Sequence, residues 1–188
     1  MGKRVSKVIT RTGDDGTTGI ADGSRLAKND LRIQCLGEVD ELNSLIGLAA
    51  SAIQLEQIRD ILKHLQHDLF DLGAELSQPT RELMQAQHVD QISAQAEHLN
   101  QTLPPLQEFI LPGGSTAVAQ LHVARSVCRR VERSLVALNQ QQVINPHSLV
   151  YLNRLSDLLF ILARAQALQT HQPEVYWQSA YSRIKPVQ

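Results

Sequence analysis

From Glu38 onward the apolar residues recur every three or four positions, in blocks separated by prolines, glycines and polar runs, which predicts a succession of amphipathic helices. The block "EVDELNSLIGLAASA" predicts a first helix over Glu38 to Ala52, and the next runs from about Leu55 to Leu76, closed by "SQPT" with Pro79 just beyond its end. "HVDQISAQAEHLNQ" gives a third, which stops before Pro104 and Pro105. After "FILPGGS" a long fourth helix begins where Ser115 or Thr116 can cap it, and "NQQQVINPHS" ends it. The fifth starts near Pro146 or His147 and runs to about Thr170. Residues 1–35 do not share this period and read as an extended arm. The chain therefore reads as one all-α domain (1–188): the arm, a five-helix bundle over 38–170, and a tail over 171–188 that holds the single tryptophan, Trp177.

Composition narrows the picture only slightly. A length of 188 residues suits one domain with a substantial core, and 4% aromatic residues favour helices over sheet. With a net charge of -1 there is no overall field to attract nucleic acid or an anionic membrane, so any anion binding is local. Cys35 and Cys128 stand far apart without metal-type spacing, no signal-like apolar core leads the chain, and no run spans a bilayer; a cytoplasmic protein is expected. "MGKRVS" fits a loose myristoylation pattern but lacks a second membrane signal, and is set aside.

At about 100° per residue, Arg125, Arg129, Glu132 and Arg133 share about a third of the fourth helix's circumference, opposite an apolar face. Such a face either holds an anion or is solvated through its own i,i+4 pairs. The fifth helix is apolar around most of its girth, yet brings Asn153, Asp157 and Arg164 to one side. Either these groups satisfy neighbouring backbone or they join a polar pocket. In the arm, "TRTGDDGTTG" offers glycines for turns of successive N–H groups, with hydroxyls and cations nearby, a combination suited to phosphates and equally to two plain turns. It is neither a Walker A loop nor a dinucleotide-binding fingerprint. His64 and His67, with Asp68 and Asp71, permit a metal site on the second helix, although solvated side chains are commoner there. No nucleophile elbow or paired Glu-x-x-His signature is present.

"TRTGDDGTTG", "KND", "GEVDELNS", "FILPGGS", "RSVCRRVER" and "YLNRLSDLLF", in this order, resemble the PduO-type ATP:cob(I)alamin adenosyltransferases over roughly Ile9 to Arg164. The resemblance implies a homotrimer with active sites between subunits, where the 5′-deoxyadenosyl group of ATP passes to the cobalt of reduced cobalamin and triphosphate leaves. It implies an ATP site of Thr10, Arg11, Thr12, Gly13, Thr18, Gly19 and Lys28 from the arm, Arg129, Arg130, Glu132 and Arg133 from the fourth helix, and Asn153 from the fifth. Asp40 and Arg125 match a salt bridge across the subunit boundary, and Phe109 matches a ring that occupies the lower face of the corrin. Magnesium would arrive mainly on the ATP phosphates; a cobalamin reductase and a B12-dependent enzyme are the implied partners. Two departures stand out. Asp15 occupies a turn position that is lysine in some members, which alters the charge beside the phosphates, and the tail after His171 finds no counterpart. The competing readings are a non-catalytic nucleotide or corrinoid carrier and, on the weaker ground of "CRRVER", a nucleic-acid binder.

Overall fold

The computed structural model describes residues 9–179, so the pattern Met1 to Ser6 and residues 180–188 of the tail lie outside it. Five helices follow a small hairpin: β1 (Thr17–Gly19) and β2 (Arg25–Ala27), then α1 (Leu31–Ala52), α2 (Glu56–Ser77), α3 (Ala86–Asn100), α4 (Thr116–Asn139) and α5 (Pro146–Gln169). The strands pair antiparallel, with Thr17 opposite Ala27 and Gly19 opposite Arg25. The helices run up and down, α1 packing against α2 and α4, and α5 against α4 and α3. Between these neighbours α5 buries nearly its whole girth, including Tyr151, Leu155, Leu159 and Leu162, which accounts for its all-round apolar sequence. On α1 the residues Cys35, Val39, Leu42, Ile46 and Ala49 form the inward stripe.

The sequence reading requires one correction, since α1 starts at Leu31 and takes in residues assigned above to the arm. Asp30 caps it, accepting from Arg32 N at 2.8 Å. Arg32, a cation near the start of this helix, is buried. Its Nη1 donates to Leu76 O at 2.8 Å, and Nε to Gln142 Oε1 at 3.1 Å, so a cation covers the carboxyl end of α2. The other helix starts match closely, with Ser115 capping α4 and Asn145 capping α5 ahead of Pro146.

Glu75 is the second buried charge at this end of the bundle. Its carboxylate accepts from Leu83 N at 2.7 Å, Met84 N at 3.0 Å and Asn145 Nδ2 at 2.9 Å, and from the Ser148 hydroxyl. One side chain thus joins the α2–α3 connection to the start of α5. Among the described residues no helix is long and apolar enough to cross a membrane.

Candidate active site

The outward faces of α4 and α5 and the loop before α4 enclose a cleft of about 500 Å³, with Arg125, Arg129, Ser156, Asp157 and Phe160 on the helices and Leu106–Ile110 along the rim. Arg125 reaches it from α4 with its guanidinium carbon 5.9 Å from the centre of the Phe160 ring. Its Nε is buried without a hydrogen-bond partner. Arg129, one turn further along, is exposed, and among the described residues its side chain has no carboxylate partner.

Two carboxylates near this row are engaged elsewhere, while Asp157 lines the cleft itself. Glu132 Oε1 accepts from Asn153 Nδ2 at 2.9 Å, and Glu41 of α1 pairs with Arg130. Arg133 donates through Nη1 to Arg129 O at 3.0 Å, back along its own helix. Arg125 and Arg129 therefore line the cleft without a carboxylate ion pair among the described residues.

Helical periodicity placed Arg164 with Asn153 and Asp157, and here the structure disagrees. Arg164 shares their angular side but lies 7 residues beyond Asp157, about 10 Å along the axis. It is buried beneath the loop before α4, where it pairs with Glu174 of the tail at 2.8 Å and donates to Pro104 O at 2.7 Å. His64 and Asp68 line a separate cleft between α2 and α3, where Asp68 accepts from the Tyr151 hydroxyl at 2.8 Å. Among the described residues no group of three or more His, Cys, Asp or Glu is placed to hold a metal ion.

Phe109 stands on the cleft rim, 77% exposed. Its ring meets Trp177 edge to face, with centroids 6.3 Å apart, so the tail lies against the loop. Phe160, Ser156 and Trp177 were not assigned to a site from sequence. An aromatic in an apolar helix looks like core, and only the position of α5 on the cleft wall reveals Phe160.

The arm is a compact turn built on the hairpin. Arg11 (φ 60°) and Gly16 (φ 82°) take left-handed backbone, and Lys28 N donates to Gly16 O at 2.9 Å. A Cβ on Gly13 would lie 3.2 Å from Lys28 Nζ and 3.0 Å from Thr17 O, so glycine lets the ammonium approach the backbone. Thr10 and Thr12 share a hydroxyl hydrogen bond of 3.0 Å, while Thr18 and Gly19 lie on β1. Asp15, which seemed to place a negative charge beside the phosphates, is committed to the fold. Its Oδ1 accepts from Thr17 Oγ1 at 2.7 Å and Thr17 N at 2.9 Å and lies 3.7 Å from Arg25 Nη2. Those hydrogen bonds, with help from the Arg25 charge, hold its carboxyl below the usual range. Arg25, missed in the sequence, also donates to Thr12 O and so orders the turn.

The arm is fastened at the end of α2, where Ala21 N donates to Ser77 O at 3.0 Å and to Ser77 Oγ at 2.9 Å. Among the described residues no hydrogen bond or ion pair links it to Arg125, Arg129 or Arg133 of the same chain. Asp40 is likewise unpaired with Arg125 within the chain. It is exposed on α1 beside Phe70 and lines an apolar hollow of about 310 Å³.

The architecture is a five-helix bundle with an arginine-lined cleft and a glycine-turned arm. Residues 8–166 match the family model described as cobalamin adenosyltransferase, and the chain belongs to that family. A cobalamin adenosyltransferase of Cupriavidus metallidurans is 54% identical over 95% of this chain and 97% of its own, and a corrinoid adenosyltransferase of Mycobacterium leprae is 44% identical over 87% and 93%. Among solved structures, a variant of a PduO-type ATP:corrinoid adenosyltransferase from Lactobacillus reuteri complexed with cobalamin and ATP superposes with a TM-score of 0.86. It is 34% identical and covers 92% of this chain and all of that one. These likenesses put the protein with the PduO-type corrinoid adenosyltransferases.

Proposed function

We propose that the protein transfers the 5′-deoxyadenosyl group of ATP to the cobalt of cob(I)alamin, at sites formed between copies of the chain. The observation that carries this reading is the pair Arg125 and Arg129, which line a cleft of about 500 Å³ with no carboxylate ion pair among the described residues. In support, the arm with its positive-φ turn and Lys28 lies apart from the cleft of its own chain, so a second copy is needed to bring the two together. The apolar hollow beside Asp40 offers a face for that copy, with Arg125 of the neighbour as the natural ion-pair partner. A homotrimer satisfies every copy at once.

Co(I) is a strong nucleophile and needs no activating base. It attacks C5′ of ATP, a C5′–cobalt bond forms, the C5′–oxygen bond breaks, and triphosphate carries away the electron pair. The protein's task is to align C5′ with the cobalt and stabilise the leaving charge. In this reading Arg129 and Arg133 act on the triphosphate with Arg130, the arm residues Thr10 to Gly13, Thr18, Gly19 and Lys28 hold its oxygens, and the Asn153–Glu132 pair orients the nucleoside. Among the described residues no carboxylate cluster is placed to cage a cation, and magnesium would be held chiefly by phosphate oxygens of the nucleotide. Phe109, projecting from the rim, would exclude water and a lower axial ligand from the cobalt, easing reduction of Co(II). Cytoplasmic placement, beside a cobalamin reductase and a B12-dependent enzyme, completes the proposal.

The test is incubation with ATP, Mg²⁺ and chemically reduced cobalamin. Triphosphate equal to the Co(I) consumed, over several turnovers, is expected. Diphosphate or monophosphate as product overturns the reaction, and a single equivalent of bound product without turnover indicates a carrier.

A further inference from the structure

The tail after α5 returns across the cleft rim as a short ribbon. Leu111 N donates to Val175 O at 2.8 Å, Trp177 N donates to Phe109 O at 2.7 Å, and Ile110 bridges Tyr176 antiparallel. The backbone carrying Phe109 is thus paired to the backbone carrying Trp177. Beneath the ribbon is a cavity of about 220 Å³, bounded by Gly113, His122, Ala163, Arg164 and Pro173. A ribbon over a void gains little from packing, so polar contacts must do more to hold it.

Arg164 provides them. It projects from the core helix with its side chain only 3% exposed, and binds the residue upstream of the tail strand and the segment leading to the rim loop together. Nε donates to Glu174 Oε1 at 2.8 Å, and Nη2 donates to Pro104 O at 2.7 Å and reaches Glu174 Oε2 at 3.4 Å. A planar guanidinium makes these bonds in one fixed geometry, which an ammonium cannot reproduce. We infer that Arg164 is a positioning residue, which clamps rim loop and tail to each other and thereby holds Phe109 at the cleft mouth. Its catalytic consequence rests on the role proposed above for Phe109; the clamp itself does not.

Two variants test it. Glu174 is 18% exposed, so Glu174→Gln removes the charge with little risk to folding, and Arg164→Lys keeps the charge but loses the fork. Because Trp177 is the only tryptophan, acrylamide quenching of its fluorescence reports tail docking without any enzyme assay. Both variants are expected to raise quenching, and to lower turnover from Co(II) by about tenfold while leaving turnover from supplied Co(I) within about twofold of wild type. Unchanged quenching in both overturns the clamp. Raised quenching with equal losses from Co(I) and Co(II), or with none, overturns the positioning of Phe109. Should the wild-type protein transfer no adenosyl group, the functional reading fails, and quenching alone decides the clamp.

Discussion

The Asn153 amide donates to Glu132 Oε1 at 2.9 Å across the α4–α5 seam, and this bond keeps the carboxylate off Arg129, one turn away. Asn153→Ala breaks the pair that orients the nucleoside in the reading proposed above. The expected result is a KM for ATP raised roughly tenfold, corresponding to about 1.4 kcal/mol, with helical circular dichroism unchanged. A KM at or below that of wild type would contradict this arrangement.

Arg129 and Phe109 face one cleft with different tasks, so their losses should separate. Arg129→Ala removes charge stabilisation from the leaving group and is expected to lower kcat by roughly a hundredfold or more from either cobalt state. Phe109→Ala should harm mainly the reaction that begins from Co(II). Single-turnover kinetics with Co(I) and with Co(II) plus a reductant measures the difference.

Glu75 takes hydrogen bonds from two backbone N–H groups, one amide and one hydroxyl, all near the same end of the bundle. Glu75→Ala strands these donors at about 1–3 kcal/mol for each one left buried. A loss of about 4 kcal/mol would lower Tm by roughly 8–16 °C in a chain of this size. Calorimetry of the variant showing a shift below about 2 °C would remove Glu75 from its bracing role.

Two buried thiols set an alkaline limit. Burial pushes Cys35 up to about 11 and Cys128 higher still, each first through desolvation. A thiol whose folded value lies above its unfolded one stabilises fully below the unfolded value, near 9, and that contribution is lost as pH rises through the folded value. Urea unfolding should therefore give a stability that declines from about pH 9, by up to about 1.4 kcal/mol per pH unit for each thiol. Cys128→Ala should flatten the slope, and an identical slope in the variant would assign the decline to other groups.

The bundle was legible because helices such as α1 and α4 bury one stripe of regular period, and the arginine face of α4 showed for the same reason. The start of α1 was hidden because Arg32 is a buried cation that serves the end of another helix, and a count of apolar positions cannot distinguish that from exposure. Arg164 was misgrouped because angle around a helix ignores distance along it. The hairpin strands, three residues each, are too short for alternation to register. Asp15 is held first by Thr17, two residues on, and the Arg25 charge beside it comes from ten residues away, brought near only by the hairpin.

Because the arm is pinned at Ser77, away from the arginines of its own chain, each catalytic centre in the proposed assembly draws on two polypeptides. A culprit substitution in Arg11 and another in Arg129 would then damage opposite halves of different centres. Refolded together, two individually dead proteins should recover activity, since some centres in the mixture inherit neither lesion.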